Sequence, residues 1–332
     1  MKKSKDSFYN KKKSEEINTY RNVQNIHELP DIFHYWSNKY LLPMLSEFGF
    51  RNATEFYLMF IDKKFKKNTD KFIRIASLGS GNCEFELQIV LQLVNSGKTN
   101  FTLECVDINP HMLQRGREGA KDNRVYDQFV FTTTDIIDWQ SNYSFDIIIA
   151  NQSLHHFLNL EQIFDKIYYL LADDGFFLTH DMIGRNGHMR WPEVLTILNS
   201  IWSDLDERYK YNHQLKKVER EYNNWDCSKQ GFEGIRSQDI LPLLIKTFNF
   251  ELFIAWGGLI DIFIERSFGH NFDADKEWDR KFIDDLHYLN VKKIMTGAIK
   301  PTQMMGAMVK YSVENPLIVD HLTPQFCLRI PD

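Results

Sequence analysis

Between Phe72 and Met182 the chain alternates short apolar runs with amphipathic stretches: "KFIRIASL", "EFELQIVLQLVNSG", "FTLECVDI", "PHMLQRGREGA", "QFVFTTT", "FDIIIANQ", "LEQIFDKIYYLL" and "GFFLTHDM". Unbroken apolar runs of strand length belong to strands buried on both faces, and the stretches between them repeat at helical spacing. That alternation of βαβ units predicts an α/β domain with a doubly wound, mainly parallel sheet. Upstream, "DIFHYWSNKYLLPMLSEFGF" and "ATEFYLMFIDKKFKK" predict two helices, with Asp31 and Thr54 as N-caps. Beyond Gly184 the alternation gives way to helical and polar segments, "WPEVLTILNSIW" and "SQDILPLLIKTF" among them. Strand-like "FELFIAWGG" follows, and "QMMGAMVKY" reads as a last edge strand.

The resulting division is a disordered basic tail over 1–27, a helical extension over 28–70, a sheet core over 71–183 and a helical insertion over 184–248. The rest of the sheet with its helices occupies 249–312, and a tail 313–332. Composition narrows the function. Apolar residues make up 43% of 332, ample for a large core, and a formal net charge of -5 offers no broad basic field, so nucleic acid is not an expected partner. The lysine-rich start lacks an apolar stretch, and no run approaches the roughly 18 apolar residues of a membrane span, so a soluble, cytoplasmic protein without membrane contacts is expected. Four scattered cysteines, Cys83, Cys105, Cys227 and Cys327, suggest reduced thiols and neither a disulfide framework nor a zinc knuckle.

The stretch "IRIASLGSGNCEFELQ" carries the first chemistry. Gly79-Ser80-Gly81 ends a strand and opens a helix, where a glycine turn lets backbone approach a ligand at the carboxyl edge of the sheet. A dinucleotide fingerprint needs a third glycine where this chain has Glu84, and Glu84 with Glu86 makes a poor neighbour for phosphate. A P-loop is excluded because no Gly-Lys-Ser/Thr follows. Asp107 closes the next strand, placed to accept both hydroxyls of a ribose. A nucleoside with a cationic extension fits this set.

These motifs, in order, resemble the class I S-adenosylmethionine-dependent methyltransferases: Leu78-Gly79-Ser80-Gly81, Asp107, "TTDIID" with Asp135, and "FDIIIANQSLHHF". The resemblance covers Phe72 to Met182 and implies a seven-stranded Rossmann-like sheet with S-adenosyl-L-methionine as cofactor. It implies that Gly79, Ser80 and Gly81 pass the methionine moiety, that Asp107 with Ile108 holds the ribose, and that Asp135 reaches the adenine amino group with Ile136 packed nearby. Asn151 and Gln152 are expected beside the sulfonium. Two departures concern the amino-acid end: Ser77 stands where the family often has an acid, and Cys83 where it has a third glycine. Glu84 is a candidate to meet the ammonium, or a solvated carboxylate complementing its helix dipole.

A sulfonium already carries an activated methyl, so the acceptor decides whether a base is required. The candidates lie in the loops overhanging the methyl: His155 and His156 in "SLHHF", and His180 with Asp181 in "LTHDM". The resemblance implies that a histidine at either of the first two positions often packs or caps a turn rather than acting in catalysis. "GRNGHMRWPE" offers Arg185, His188, Arg190 and Trp191 as an acceptor wall, and "NNWDCSKQGFEGIRSQD" a lid with Trp225, Glu233 and Arg236. No compact metal-ligand motif occurs, and no metal is expected. The expected activity is methyl transfer to a small-molecule acceptor, an oxygen of a sugar or other hydroxylated metabolite, with a nitrogen acceptor or a non-catalytic binding subunit as alternatives.

Overall fold

The computed structural model describes residues 2–21, 28–67, 71–229 and 231–331. Helices α1 (Lys2–Tyr20), α2 (Asp31–Trp36), α3 (Leu42–Ser46) and α4 (Ala53–Lys67) precede the sheet, α2 and α3 joined by a π-helical turn over Ser37–Leu41. The sheet core then runs β1 (Ile73–Leu78), α5 (Glu84–Asn95), β2 (Phe101–Asp107), α6 (Pro110–Asp122), β3 (Phe129–Thr133), β4 (Phe145–Asn151), α7 (Leu160–Leu170) and β5 (Leu171–Met182). After it come α8 (Pro192–Asp204), the small hairpin β6 (Tyr211–Asn212) and β7 (Lys217–Val218), and α9 (Ser237–Thr247). The chain closes with β8 (Asn249–Trp256), α10 (Asp261–Ile264), α11 (Glu277–Met295), β9 (Gln303–Val309), β10 (Leu317–Ile318) and α12 (Pro324–Cys327).

The strands form one sheet in the order β10-β8-β9-β5-β4-β1-β2-β3, parallel throughout except for β9, which runs antiparallel to both β5 and β8. The doubly wound class holds, with the expected seven strands and a two-residue eighth at one edge. Burial on both faces explains the unbroken apolar runs: in β4, Ile148 enters one core while Ile147 and Ile149 enter the other. Strand order reverses between β1 and β4, so the loops leaving their carboxyl ends part in opposite directions and open a crevice between them.

Several expectations are corrected. "QMMGAMVKY" is not an edge strand: β9 lies between β5 and β8 with all seven residues buried, which its apolar character demands. The helix at Asp31 has Pro30 at its N-cap without a side-chain bond, and in α4 the cap is Asn52, whose Oδ1 accepts from the Glu55 amide at 2.9 Å, not Thr54. The final segment contributes β10 and α12 rather than a bare tail. Most consequentially, the expected disordered start forms α1 over Lys2–Tyr20, although residues 22–27 of that span lie outside the described residues. Its residues are polar all round, and what fixes it is contact with the crevice. Among the described residues no helix is long and apolar enough to cross a membrane.

Candidate active site

One cavity of about 1010 Å³ occupies the crevice, running from the glycine turn to the loops after β5 and before α9. It matches the upper end of the range for ligand pockets, room for a cofactor-sized molecule and a second small one. Gly79 and Gly81 adopt positive φ of 71° and 54°, and a Cβ on Gly79 would stand 2.7 Å from that of Ser153. The turn therefore needs glycine for both conformation and space. Cys83 begins α5 in the left-handed region, and Gly116 on α6 makes room for it: a Cβ there would lie 2.7 Å from the Cys83 sulfur. The missing third glycine is thus offset by a glycine on the neighbouring helix.

Carboxylates dominate this end. Asp107 accepts from the amides of Gly81 at 2.9 Å and Asn109 at 2.7 Å; burial nevertheless raises its pKa. The acid absent at Ser77 is supplied from α5, because Glu86 Oε1 accepts from the Ser77 hydroxyl at 2.6 Å. Burial raises the Glu86 carboxyl to about 7, with Asp107 and Glu84 opposing its charge, although the Ser77 bond pulls the other way. Glu86 lines the cavity together with Glu84, which stands on the first turn of the same helix. The sequence reading named Glu84 and passed over Glu86 as a site residue. These three acids at the glycine end, Glu84, Glu86 and Asp107, suit a cation and make a poor neighbour for phosphate.

Helix α1 lies across this end. Tyr9, Lys13, Glu16 and Tyr20 are spaced to share one helical face. The Tyr9 hydroxyl donates to Asp135 Oδ2 at 2.5 Å, and Lys13 reaches the same oxygen at 3.2 Å. Lys12 donates to the carbonyls of Ser228 and Gly231, both at 2.7 Å, while Glu16 accepts from the Phe232 amide at 3.0 Å and pairs with His156 Nδ1 at 2.8 Å. Arg115 on α6 closes the far end by donating to the carbonyls of Tyr20 and Arg21.

At the other end the two glycine-bearing loops dock on each other. The Gly187 amide donates to the Gly234 carbonyl at 2.8 Å, and a Cβ on Gly187 would sit 1.9 Å from Asp226 Oδ1. This close approach places His188 Nε2 2.6 Å from Glu233 Oε1. His155 Nε2 stands 3.6 Å from the same oxygen and His156 Nε2 3.5 Å from Oε2, so three histidines surround one carboxylate. Burial lowers the His188 pKa in spite of Glu233. Burial opposes the charge of His156 as well, but Glu16 and Glu233 hold it up to about 9. For Glu233, burial is outweighed by the His188 bond and the charges of His156 and His155, and its carboxyl stays far below the usual range.

All ten residues expected around the cofactor line the cavity: Gly79, Ser80, Gly81, Glu84 and Asp107 on the glycine side, with Ile108, Asp135, Ile136, Asn151 and Gln152 beyond them. Gln152 takes a positive φ of 51° at the end of β4, and Tyr57 donates to Asn151 Oδ1 at 3.2 Å. His155, His156, His180, Arg185, His188, Arg190 and Trp225 also line it. His180 is pushed down to about 4 by burial and faces Trp256, ring centroids 5.5 Å apart.

Three expected residues are corrected. Asp181 is fully buried, and its oxygens already accept from the amides of Ser153, Leu154 and Met182 and from His155 Nδ1 at 2.6 Å. It positions the turn bearing His155 and cannot touch an acceptor. Trp191 is buried between the guanidinium groups of Arg185 and Arg329 and does not reach the cavity. Arg236 is tied to Glu161 and Asp239 away from it. Arg190 does line the cavity, but its neighbour Asp261, 3.6 Å away, lessens its demand for a substrate anion.

A reversed strand order, a glycine turn at the reversal, Asp107 at the end of β2 and Asp135 after β3 define a Rossmann-like domain with its crevice at the carboxyl edge of the sheet. Residues 70–246, more than half of the chain, match the methyltransferase domain family, and the chain belongs to that family. An S-adenosylmethionine-dependent methyltransferase of Clostridium acetobutylicum is 18% identical with a TM-score of 0.32, over 46% of this chain and 62% of that one. Geranyl diphosphate C-methyltransferase of Streptomyces coelicolor, crystallised with Mg2+, geranyl-S-thiolodiphosphate and S-adenosyl-L-homocysteine, is 10% identical with a TM-score of 0.40, over 75% and 76%. A 127-residue stretch is 25% identical to the nucleoporin NUP188 of Saccharomyces cerevisiae, covering 36% of this chain. The chain spans 8% of that nucleoporin's length and 62% of the Clostridium enzyme's.

Proposed function

We propose that the protein binds S-adenosyl-L-methionine at the glycine end of the cavity and methylates an oxygen of a small hydroxylated molecule held at the histidine end. The observation that carries this reading is the continuity of the two ends in one cavity, with Asn151, Gln152 and His180 between them. The donor set fits the cofactor: Asp107 for the ribose hydroxyls, Asp135 for the adenine amino group, and Glu86 with Glu84 for the ammonium. When bound, the cofactor supplies a methyl on a sulfonium, and the chain aligns the acceptor, excludes water and receives the acceptor's proton. His188, whose ring burial holds toward the neutral form at this end of the cavity, supports an acceptor that sheds a proton, which favours oxygen.

Calorimetric titration with S-adenosylmethionine, S-adenosylhomocysteine and NAD tests the cofactor. Saturable binding of the first two without NAD is expected; NAD binding, or none of the three, would sink the proposal. Asp107→Asn keeps a side-chain acceptor for Gly81 or Asn109 but loses the charge facing the ribose. It should weaken S-adenosylhomocysteine about fivefold, in keeping with a loss of about 1 kcal/mol from a charged hydrogen bond made neutral. Unchanged affinity would remove Asp107 from the ribose.

A further inference from the structure

We propose that His155, His188 and Glu233 form a binding site for a divalent transition metal ion at the acceptor end of the cavity. Their ligand atoms lie within 4.8 Å of one another, on side chains from three loops: the docking of Gly187 against Gly234 joins those of His188 and Glu233, and the Ile235 amide donates to the His155 carbonyl in the turn after β4.

The first argument is the tautomer of His155. Its Nδ1 stands 2.6 Å from Asp181 Oδ1, and the same carboxylate already accepts from the amides of Ser153, Leu154 and Met182, which marks it as an acceptor. The proton of a neutral His155 ring therefore sits on Nδ1, leaving the Nε2 lone pair aimed at the Glu233 carboxylate 3.6 Å away. Two lone pairs facing each other in a buried place repel, and a positive charge between them removes the conflict. Carboxylate to histidine to ion is also the arrangement that orients metal-bound imidazoles generally.

The second argument is charge. Around this point the carboxylates of Glu16, Asp181 and Glu233 lie against the rings of His155, His156 and His188, and they outnumber Arg190, the fixed cation that acts on His188, a balance suited to a dication. Two imidazoles and one carboxylate are the ligand types of open zinc and non-haem iron sites, which keep a position for water or substrate. Here the open side is the cavity. The role of the ion rests on the reading above: a hydroxyl bound to it would lose its proton more easily before accepting the methyl. Binding of the ion does not depend on that reading.

The test is titration of the full metal-stripped chain with Zn2+, followed by Co2+ with its visible spectrum. One Zn2+ per chain is expected, weakened about a hundredfold or more by His188→Ala and by Glu233→Gln when circular dichroism shows both variants folded. Equal Zn2+ affinity in the folded variants, or no stoichiometric binding by the wild type, would overturn the site and leave a proton as the charge between His155 and Glu233. Should the variants not fold, the wild-type Co2+ spectrum decides: absorption bands of a four- or five-coordinate nitrogen and oxygen site support it, and the spectrum of aqueous Co2+ overturns it. S-adenosylhomocysteine binding, measured on the same wild-type preparation, separates the two readings. Zn2+ without cofactor binding would sink the methyl-transfer proposal and keep the metal site.

Discussion

Glu86→Gln should make the ligand-free protein more stable at pH 8 while weakening its hold on S-adenosylmethionine. Glu86 is 3% exposed, and burial raises its carboxyl from 4.5 to about 7. The folded state therefore binds more protons than the unfolded state between those values. The sign follows: this group favours folding below about pH 4.5, and that contribution is lost as pH rises through 7. At pH 8 the charged carboxylate opposes folding by up to roughly 3 kcal/mol, taking 1.36 kcal/mol per unit. Glutamine keeps an acceptor for the Ser77 hydroxyl and carries no charge, so denaturant unfolding at pH 8 should show a gain of about 1 to 3 kcal/mol that vanishes near pH 4.5. The same substitution removes the partner of the cofactor's ammonium and should weaken binding about 10- to 100-fold, the worth of a charged hydrogen bond. A variant that binds the cofactor as tightly as the wild type would move the ammonium to another carboxylate, Glu84 first.

That pair of effects also shows where sequence reading reached its limit. The sheet was legible because strands buried on both faces are written as unbroken apolar runs, and β4 with three consecutive isoleucines is the clearest of them. The glycine turn, Asp107 and Asp135 were legible because they fall at strand ends in fixed order. Glu86 was not, because a carboxylate on the first turn of a helix is ordinarily solvated, and only the fold turns this one inward to Ser77. Asp181 was misread for the converse reason: its position at a strand end is that of a catalytic acid, and only the backbone amides of the adjacent loop reveal that its oxygens are spent. The meeting of His188 with Glu233, 45 residues apart, depends on two glycine loops touching, which no local pattern encodes. Helix α1 lacks an apolar stripe altogether. Its only signal was the spacing of Tyr9, Lys13, Glu16 and Tyr20, and a helix held by polar contacts to distant residues cannot be told from a solvated tail by hydropathy.

Removing the two side chains of α1 that engage Asp135, in Tyr9→Phe with Lys13→Ala, should tighten S-adenosylhomocysteine binding about tenfold. Asp135 is the carboxylate assigned above to the adenine amino group. Its Oδ1 accepts from the Ile137 amide, and its Oδ2 is taken by Tyr9 and Lys13. Burial and the neighbouring Asp135 raise the Tyr9 hydroxyl's pKa, so it remains a proton donor across the working pH range. A ligand that needs Oδ2 must displace these contacts, and its measured affinity is reduced by the fraction of molecules in which they are formed. A hydrogen bond to a charged group contributes about 1.5 to 3 kcal/mol, enough to make that fraction dominant, and losing it frees the carboxylate without disturbing the sheet. The remaining grip of α1, through Lys12, Glu16 and Tyr20, involves other partners and persists in the double variant. Calorimetry on the two proteins decides the matter. Weaker binding by the variant would mean that α1 stays closed over the nucleoside, so that Tyr9 and Lys13 belong to the adenine site itself and Asp135 serves to hold the helix in place.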